Sequence, residues 1–177
     1  QMINKVLIGT VPYYQATGKY LTQLFDKGNS AAKEGKTYTD MEHYWDEAFG
    51  YFGAARDYNT YSDSDIKGKV NKDSNSDGKI NYNSEYNFSL AVGAAKRDVG
   101  STSGTVDLTG DIFTAFLTGR ALITAEGAQE DIAVHQVAAA EGMEKVIAAT
   151  VVHYINDTLA DMAQIGTSDY SQKDHNK

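Results

Sequence analysis

Apolar residues recur at helical spacing along most of this chain, and no alternating pattern typical of a β-strand extends over more than a few positions. The clearest predicted helix lies in "TDMEHYWDEAFGYFG", where Thr39 or Asp40 can cap the first turn and Gly53 can end the helix. One face of this helix is apolar and aromatic, and it carries Met41, Trp45, Ala48, Phe49 and Phe52. The pattern therefore predicts an all-α protein.

The same periodicity predicts further helices before and after this one. The stretch "KVLIGTVPYYQATGKYLTQLF" predicts one helix kinked near Gly9 and Pro12, or two short ones. "NSEYNFSLAVGAAKRD" predicts a helix capped by Asn83 or Ser84, and "DIFTAFLTGRALITA" predicts one from about Asp111. The longest periodic segment, "QEDIAVHQVAAAEGMEKVIAATVVHYINDTLADMAQI", predicts a long helix with a break near Gly142, followed by the polar end "GTSDYSQKDHNK". We expect a single domain over residues 1–177, folded as an irregular bundle of about five helices.

Residues 56–83 form a polar segment with few apolar anchors, and a structureless loop of this length is uncommon in a compact domain. Within it, "DSNSDGKIN" places oxygen-bearing side chains at alternate positions, followed by a glycine and an apolar residue. That order matches the first nine positions of an EF-hand or dockerin-like calcium loop. Position twelve is Ser84 rather than glutamate, and Glu85 follows one residue late.

The sequence therefore predicts a calcium (Ca2+) loop at residues 73–85, in which Lys79 contributes its backbone carbonyl. The predicted ligands are Asp73, Asn75, Asp77, Lys79, Asn81 and Glu85. The alternative is a turn that binds nothing, because Asn, Asp, Ser and Gly favour turns without any ion.

Two histidines have a carboxylate one helical turn away. His43 and Glu47 lie opposite the apolar face of their helix, and His153 and Asp157 share a face of the long helix. Because "VIAATVVHYI" is apolar nearly all round, we expect His153 to lie in a central helix. Each pair is consistent with an ordinary polar contact. If the two pairs met across the bundle, their four side chains would form a second metal site.

The composition narrows the classes of partner. The 177 residues carry a net charge of −8, which disfavours a nucleic-acid partner. No apolar run is long enough to span a membrane, and the first residues lack the pattern of a signal peptide. The chain has no cysteine, so it has neither a disulfide nor a thiolate site. The twelve tyrosines could supply contact surface to a partner or could belong to the core and its rim.

The block "MEHYWDEAFGYFGAARDY" resembles the bacterial family that carries the domain of unknown function DUF4856, and the likeness continues through "SEYNFSLAVGAAKRD" and "ATVVHYINDTLADM". The resemblance implies an envelope lipoprotein, of which this chain would be a C-terminal part. The family is loosely similar to imelysin-like helical proteins of the bacterial envelope, some of which are linked to iron. The imelysin signature sets Glu three residues after His, whereas here Asp46 holds that place and Glu47 follows.

These observations predict a calcium-stabilised, non-catalytic protein of the bacterial cell envelope or the extracellular space, which acts through binding a protein partner or through self-assembly. The alternative is an imelysin-like divalent-metal (iron or zinc) binding protein or metallo-hydrolase that uses His43, Glu47, His153 and Asp157.

Overall fold

The computed structural model describes residues 2–101, 106–168 and 170, and within these ranges the chain is all-α with no strand. Residues 102–105, in the stretch "GSTSGT" that the sequence indicates as a linker, and residues 171–177 of the predicted polar end lie outside the described residues. The six α-helices of the described part are α1 (Met2–Tyr13), α2 (Asp40–Phe52), α3 (Asp63–Lys67), α4 (Ser89–Val99), α5 (Leu108–Thr124) and α6 (Gln129–Gln164). The predicted all-α class is therefore confirmed.

Helix α2 begins and ends where its sequence predicts. The Thr39 side chain accepts a hydrogen bond from the Glu42 amide, and the Glu42 carboxylate accepts one from the Thr39 amide, which satisfies two amides of the first turn. Gly53 ends the helix in the left-handed conformation, with φ of 89°. The predicted apolar face is buried against α5, where the Trp45 indole donates to the Phe116 carbonyl at 2.8 Å.

The first predicted helix continues through Pro12, near which a kink or a break was expected. It becomes a π-helix just after this residue. Helix α1 passes directly into a π-helical segment, Tyr14–Leu21, which packs against α2. Apolar side chains of α1 remain more than half exposed, among them Ile3 and Ile8. The π-helix thus follows a helix whose apolar side chains are only partly covered by the rest of the described structure.

Helix α6 runs for 36 residues without a break, so the predicted interruption near Gly142 is wrong. Gly142 instead permits close packing, because a Cβ atom there would lie 2.4 Å from Cγ1 of Ile112 in α5. The expected burial of the stretch around His153 is also wrong, although its helix packs against α5 and α4. Beyond Val146 the apolar residues of α6 are largely exposed, and Val152 and Ile155 are 55% and 53% accessible. No helix in the described part of the chain is long and apolar enough to cross a bilayer.

The polar segment between α2 and α4 is partly ordered by the short helix α3, which the sequence analysis did not predict. Helix α4 begins at Ser89, five or six residues later than the predicted caps. The reason lies in the preceding residues, which are held in an extended path beside the end of α2. The Phe88 amide donates to the Gly53 carbonyl at 2.8 Å, and the Ala55 amide donates to Oδ1 of Asn87 at 2.7 Å.

Candidate calcium loop and adjoining cavity

The loop at residues 73–81 is folded around its own side-chain oxygens. The Asp73 carboxylate accepts hydrogen bonds from the amides of Asp77 and Gly78, at 3.1 and 2.7 Å. Oδ1 of Asn75 accepts from the Asp77 amide at 3.0 Å, and Oδ1 of Asp77 accepts from the Lys79 amide at 2.9 Å. Gly78 has φ of 81°, the left-handed conformation expected at the sixth position of a calcium loop.

Glu85 lies beneath this loop and is 1% accessible. Its Oε1 accepts from the amides of Ser74 and Asn75 at 3.0 and 3.2 Å and from the Ser74 hydroxyl at 2.7 Å, while Oε2 accepts from the Asn81 amide at 2.9 Å. Both oxygens therefore bind the two ends of the loop together. In the described structure, this predicted calcium ligand holds the loop closed.

These hydrogen bonds lower the pKa of Glu85, with the Asn81 amide making the largest contribution and Ser74 the next. A lowered pKa in the folded state means that Glu85 stabilises the fold above its usual value of 4.5 and loses that effect as the pH falls through the lowered pKa. We expect the melting temperature to fall as the pH is reduced below about 5. Thermal melts followed by circular dichroism across this range, on the wild type and on Glu85→Gln, test the prediction. The variant should show a shallower acid dependence, and an unchanged dependence would contradict it.

The end of the loop forms one wall of a cavity of about 540 Å³. Its other walls come from α2, α5 and the segment that precedes α4. The lining is mainly aromatic and includes Trp45, Phe49, Tyr82, Tyr86, Phe88 and Phe116. The rings of Tyr82 and Tyr86 meet edge to face with centroids 5.2 Å apart, and Tyr86 stacks on Phe88. A cavity of this size and lining is typical of small-molecule sites.

A charged network borders the same cavity. Arg120 donates from Nη1 to Glu42 at 2.7 Å and from Nε to Asp46 at 2.8 Å, and Thr124 also contacts Glu42. Burial favours the neutral form of Glu42, but the hydrogen bonds from Thr39 and Arg120 outweigh it and lower the pKa of this carboxyl. Burial raises the pKa of Asp46 despite its contact with Arg120. Sequence reasoning missed Arg120, although a lone cation in the apolar stretch "FLTGRALITA" was a signal for a carboxylate partner.

The histidine pairs form as predicted within each helix, but they remain separate. Nε2 of His43 lies 4.0 Å from Glu47, and Nε2 of His153 lies 3.3 Å from Asp157. All four side chains are between about one-third and just over one-half exposed. In the described ranges, no group of three or more His, Cys, Asp or Glu side chains is arranged to hold a metal ion. Each pair is thus an exposed contact between neighbouring turns of one helix.

The fold and the site define an all-α protein. In it, a polar loop that is closed by hydrogen bonds among its own residues forms one wall of an aromatic cavity. The sequence model of the family described as domain of unknown function (DUF4856) matches residues 1–173, and the chain belongs to that family. The family resemblance found in the sequence is therefore confirmed. Comparison with curated proteins and with solved structures gave no match.

Proposed function

We propose that this chain is a calcium-stabilised, non-catalytic binding protein of the bacterial cell envelope or the extracellular space, in which a bound calcium ion fixes the wall of the aromatic cavity. The observation that carries the proposal is the arrangement of the loop. Asp73, Asn75 and Asp77 each turn a side-chain oxygen towards the loop's own amides, and Gly78 makes the turn that such a loop requires.

The loop hydrogen bonds leave acceptor capacity for a cation. A carboxylate has about four lone-pair sites, and the Asp73 and Asp77 carboxylates each accept two loop hydrogen bonds. With the amide oxygens of Asn75 and Asn81 and the Lys79 carbonyl, they form a hard-oxygen donor set that suits calcium better than iron or zinc. Since Glu85 is occupied by the loop amides, water would complete the ligand shell. Such a site would be modest in affinity and would fit extracellular calcium concentrations.

The connection between the loop and the cavity supports a binding role. Tyr82 and Asn83 belong to the loop segment and line the cavity, so that ordering the loop also orders that wall. Tyr82 is 75% accessible and presents its ring at the cavity mouth. A ligand or a partner side chain with a flat apolar face could stack there, with Arg56 and Asp46 as polar contacts. The exposed apolar residues of α1 and α6 provide further surface for a protein partner or for assembly.

We expect the protein, when purified and analysed in buffer with calcium well above Kd, to hold one calcium ion per chain and to melt several degrees lower after EDTA treatment. At calcium concentrations of tens to a hundred times Kd, binding stabilises the folded state by about 2–3 kcal/mol, which corresponds to roughly 5–10 °C in a domain of this size. Elemental analysis followed by calorimetric melts with and without EDTA measures both quantities. A tightly held iron or zinc ion, with melting insensitive to calcium, would overturn the proposal.

A matched variant separates calcium binding from the turn itself. Asp77→Asn keeps the oxygen that accepts from the Lys79 amide, loses only the hydrogen bond that Oδ2 accepts from Asn75, and removes the negative charge that a cation needs. The variant should melt like the EDTA-treated wild type, with or without added calcium. Asp40→Asn, at an exposed position paired with Lys33, is the control and should retain the calcium response.

A further inference from the structure

A second cleft lies between α1, α4 and the middle of α6. The segment that precedes α4 separates it from the aromatic cavity. The volume of the cleft is about 380 Å³, and Ile8, Ser89, Val92, Thr150 and Tyr154 contribute to its lining. Neither the calcium loop nor the histidine pairs belong to it. The charged residues that line it are all cationic, and they indicate the charge of the ligand it would take.

Three cationic side chains, Lys69, Lys96 and Arg97, line this cleft. Among the described residues that line it, none is acidic. No carboxylate in the described ranges forms an ion pair with any of the three. Among the described residues, Nε of Arg97 is buried and has no hydrogen-bond partner. In a chain with a net charge of −8, three cations gathered without a counter-charge call for an anion.

Asn87 supplies an independent indication. It lines the cleft and is only 5% accessible, and its Oδ1 is fixed because it accepts from the Ala55 amide at 2.7 Å. That bond assigns the orientation of the amide and leaves Nδ2 as a donor, which has no partner in the part of the chain that the structure describes. A buried amide nitrogen without an acceptor costs free energy, so an acceptor group brought by a ligand would be stabilised there.

The N-terminus of α4 adds further donors at the same place. Phe88 precedes the helix and provides no side-chain cap, so the first amides of the helix remain available. Of the first three residues of the helix, Ser89 lines the cleft, which places its amide in the wall. An uncapped helix N-terminus favours oxyanions through its amide donors and its dipole.

We propose that this cleft binds a small ligand through a phosphate-type oxyanion, held by Asn87 Nδ2, the guanidinium of Arg97, Lys96 and the amides at the start of α4. The cleft is large enough for more than a bare ion, and Ile8 and Val92 offer apolar contact to the rest of the ligand. The proposal does not depend on calcium, because none of these donors belongs to the loop at residues 73–85. The oxyanion could belong to a soluble phosphorylated compound or to a lipid headgroup.

Titration calorimetry of the whole chain with inorganic phosphate, in buffer without added calcium, tests the site. We expect saturable binding of one phosphate per chain, and a loss of affinity of at least about tenfold in Lys96→Gln/Arg97→Gln because two charge-assisted hydrogen bonds disappear. Lys36→Gln/Lys67→Gln changes the net charge equally at exposed positions outside the cleft and should bind as the wild type does. Asn87→Asp keeps the acceptor for Ala55 but replaces the donor with a charged oxygen, and it should also weaken binding.

Sedimentation with vesicles distinguishes the two sources of the oxyanion. Binding to vesicles of phosphatidylcholine and phosphatidylglycerol but not to phosphatidylcholine alone, lost in Lys96→Gln/Arg97→Gln, would assign the site to a lipid headgroup. Phosphate binding without vesicle binding would assign it to a soluble ligand. The absence of both, or an equal loss in the control variant, would overturn the proposal. Thermal melts of each variant identify any that fail to fold.

Discussion

Replacing Gly119 with alanine is expected to destabilise the protein by about 3 kcal/mol, because the added methyl group overpacks the core between α2 and α5. A Cβ atom at Gly119 would lie 2.2 Å from Cζ2 and 2.4 Å from Cη2 of Trp45. The indole cannot move aside cheaply, since it is 1% accessible and donates a hydrogen bond to the Phe116 carbonyl. Equilibrium urea unfolding of the wild type and Gly119→Ala measures the difference.

The control for this substitution is Gly50→Ala in α2. A Cβ atom at Gly50 would meet nothing within 4 Å, so that alanine should be neutral or stabilise the helix by roughly 0.5–1 kcal/mol. A double-mutant cycle with Trp45→Leu tests the cause, because removing the indole removes the obstacle. The cost of Gly119→Ala should then shrink to less than about half. An equal cost in both backgrounds would show that the backbone at Gly119, and not the contact with Trp45, is responsible. Since Trp45 also lines the aromatic cavity, the cycle measures how strongly Gly119 and Trp45 interact in the wall of the candidate site.

The parts of the fold that sequence predicted well are those set by neighbours in the chain. The cap of α2 depends on Thr39 and Glu42, three residues apart, and its end depends on the single glycine that follows. The residue types of the loop 73–81 likewise fix its internal hydrogen bonds over two to five positions. Such features can be derived from spacing because the interacting groups are close along the chain.

The sequence left open whether the tyrosines form contact surface for a partner or belong to the core and its rim. Tyr58, from "DYNTY", is 2% accessible and donates to the Ala91 carbonyl at 2.7 Å, so it belongs to the core. Tyr14 is 63% accessible, and Tyr82 is exposed and lines the aromatic cavity. Composition indicates how much aromatic surface a chain has, but only the packing of distant segments decides which rings are covered.

Helix α6 lies where the sequence predicts a long helix, but the burial of its second half was mispredicted for a related reason. Its second half is apolar on most sides, and that pattern ordinarily indicates a buried helix. In the described structure the neighbouring helices cover α6 only as far as about Val146, so Leu159 and Met162 are each 59% accessible. Periodicity measures how apolar a face is, and it does not reveal whether a partner for that face is provided within the same chain.

The delayed start of α4 and the role of Glu85 have a common cause. The sequence placed a helix cap at Asn83 or Ser84 because the local residue types favour one. Glu85 is instead drawn under the loop by amides ten and eleven residues earlier, and Asn87 is held by Ala55. These long-range hydrogen bonds keep the chain extended up to Phe88, and they also create the walls of the cavity on one side and the cationic cleft on the other.

Replacing Glu85 with alanine is therefore expected to have the second large effect, a fall of about 10 °C in the melting temperature at neutral pH. The substitution leaves three backbone amides and the Ser74 hydroxyl without the acceptor that now joins the two ends of the loop. The loop should open, and the aromatic wall that begins at Tyr82 should lose its support. Differential scanning calorimetry gives the shift, and amide hydrogen exchange at Ser74, Asn75 and Asn81 locates it.

Glu34→Ala is the matched control, because Glu34 lies on an exposed loop and its removal changes the net charge equally. Its melting temperature should stay within about 1 °C of the wild type, as for most surface substitutions.

If Glu85→Ala melts like this control, the hydrogen bonds beneath the loop contribute little and the candidate calcium loop would have to be ordered by the ion alone. If exchange at the three amides rises by orders of magnitude while the core amides remain protected, then Glu85 organises the loop before any ion binds. Calcium would then bind to a preformed site, and adding it to Glu85→Ala should restore only part of the lost stability.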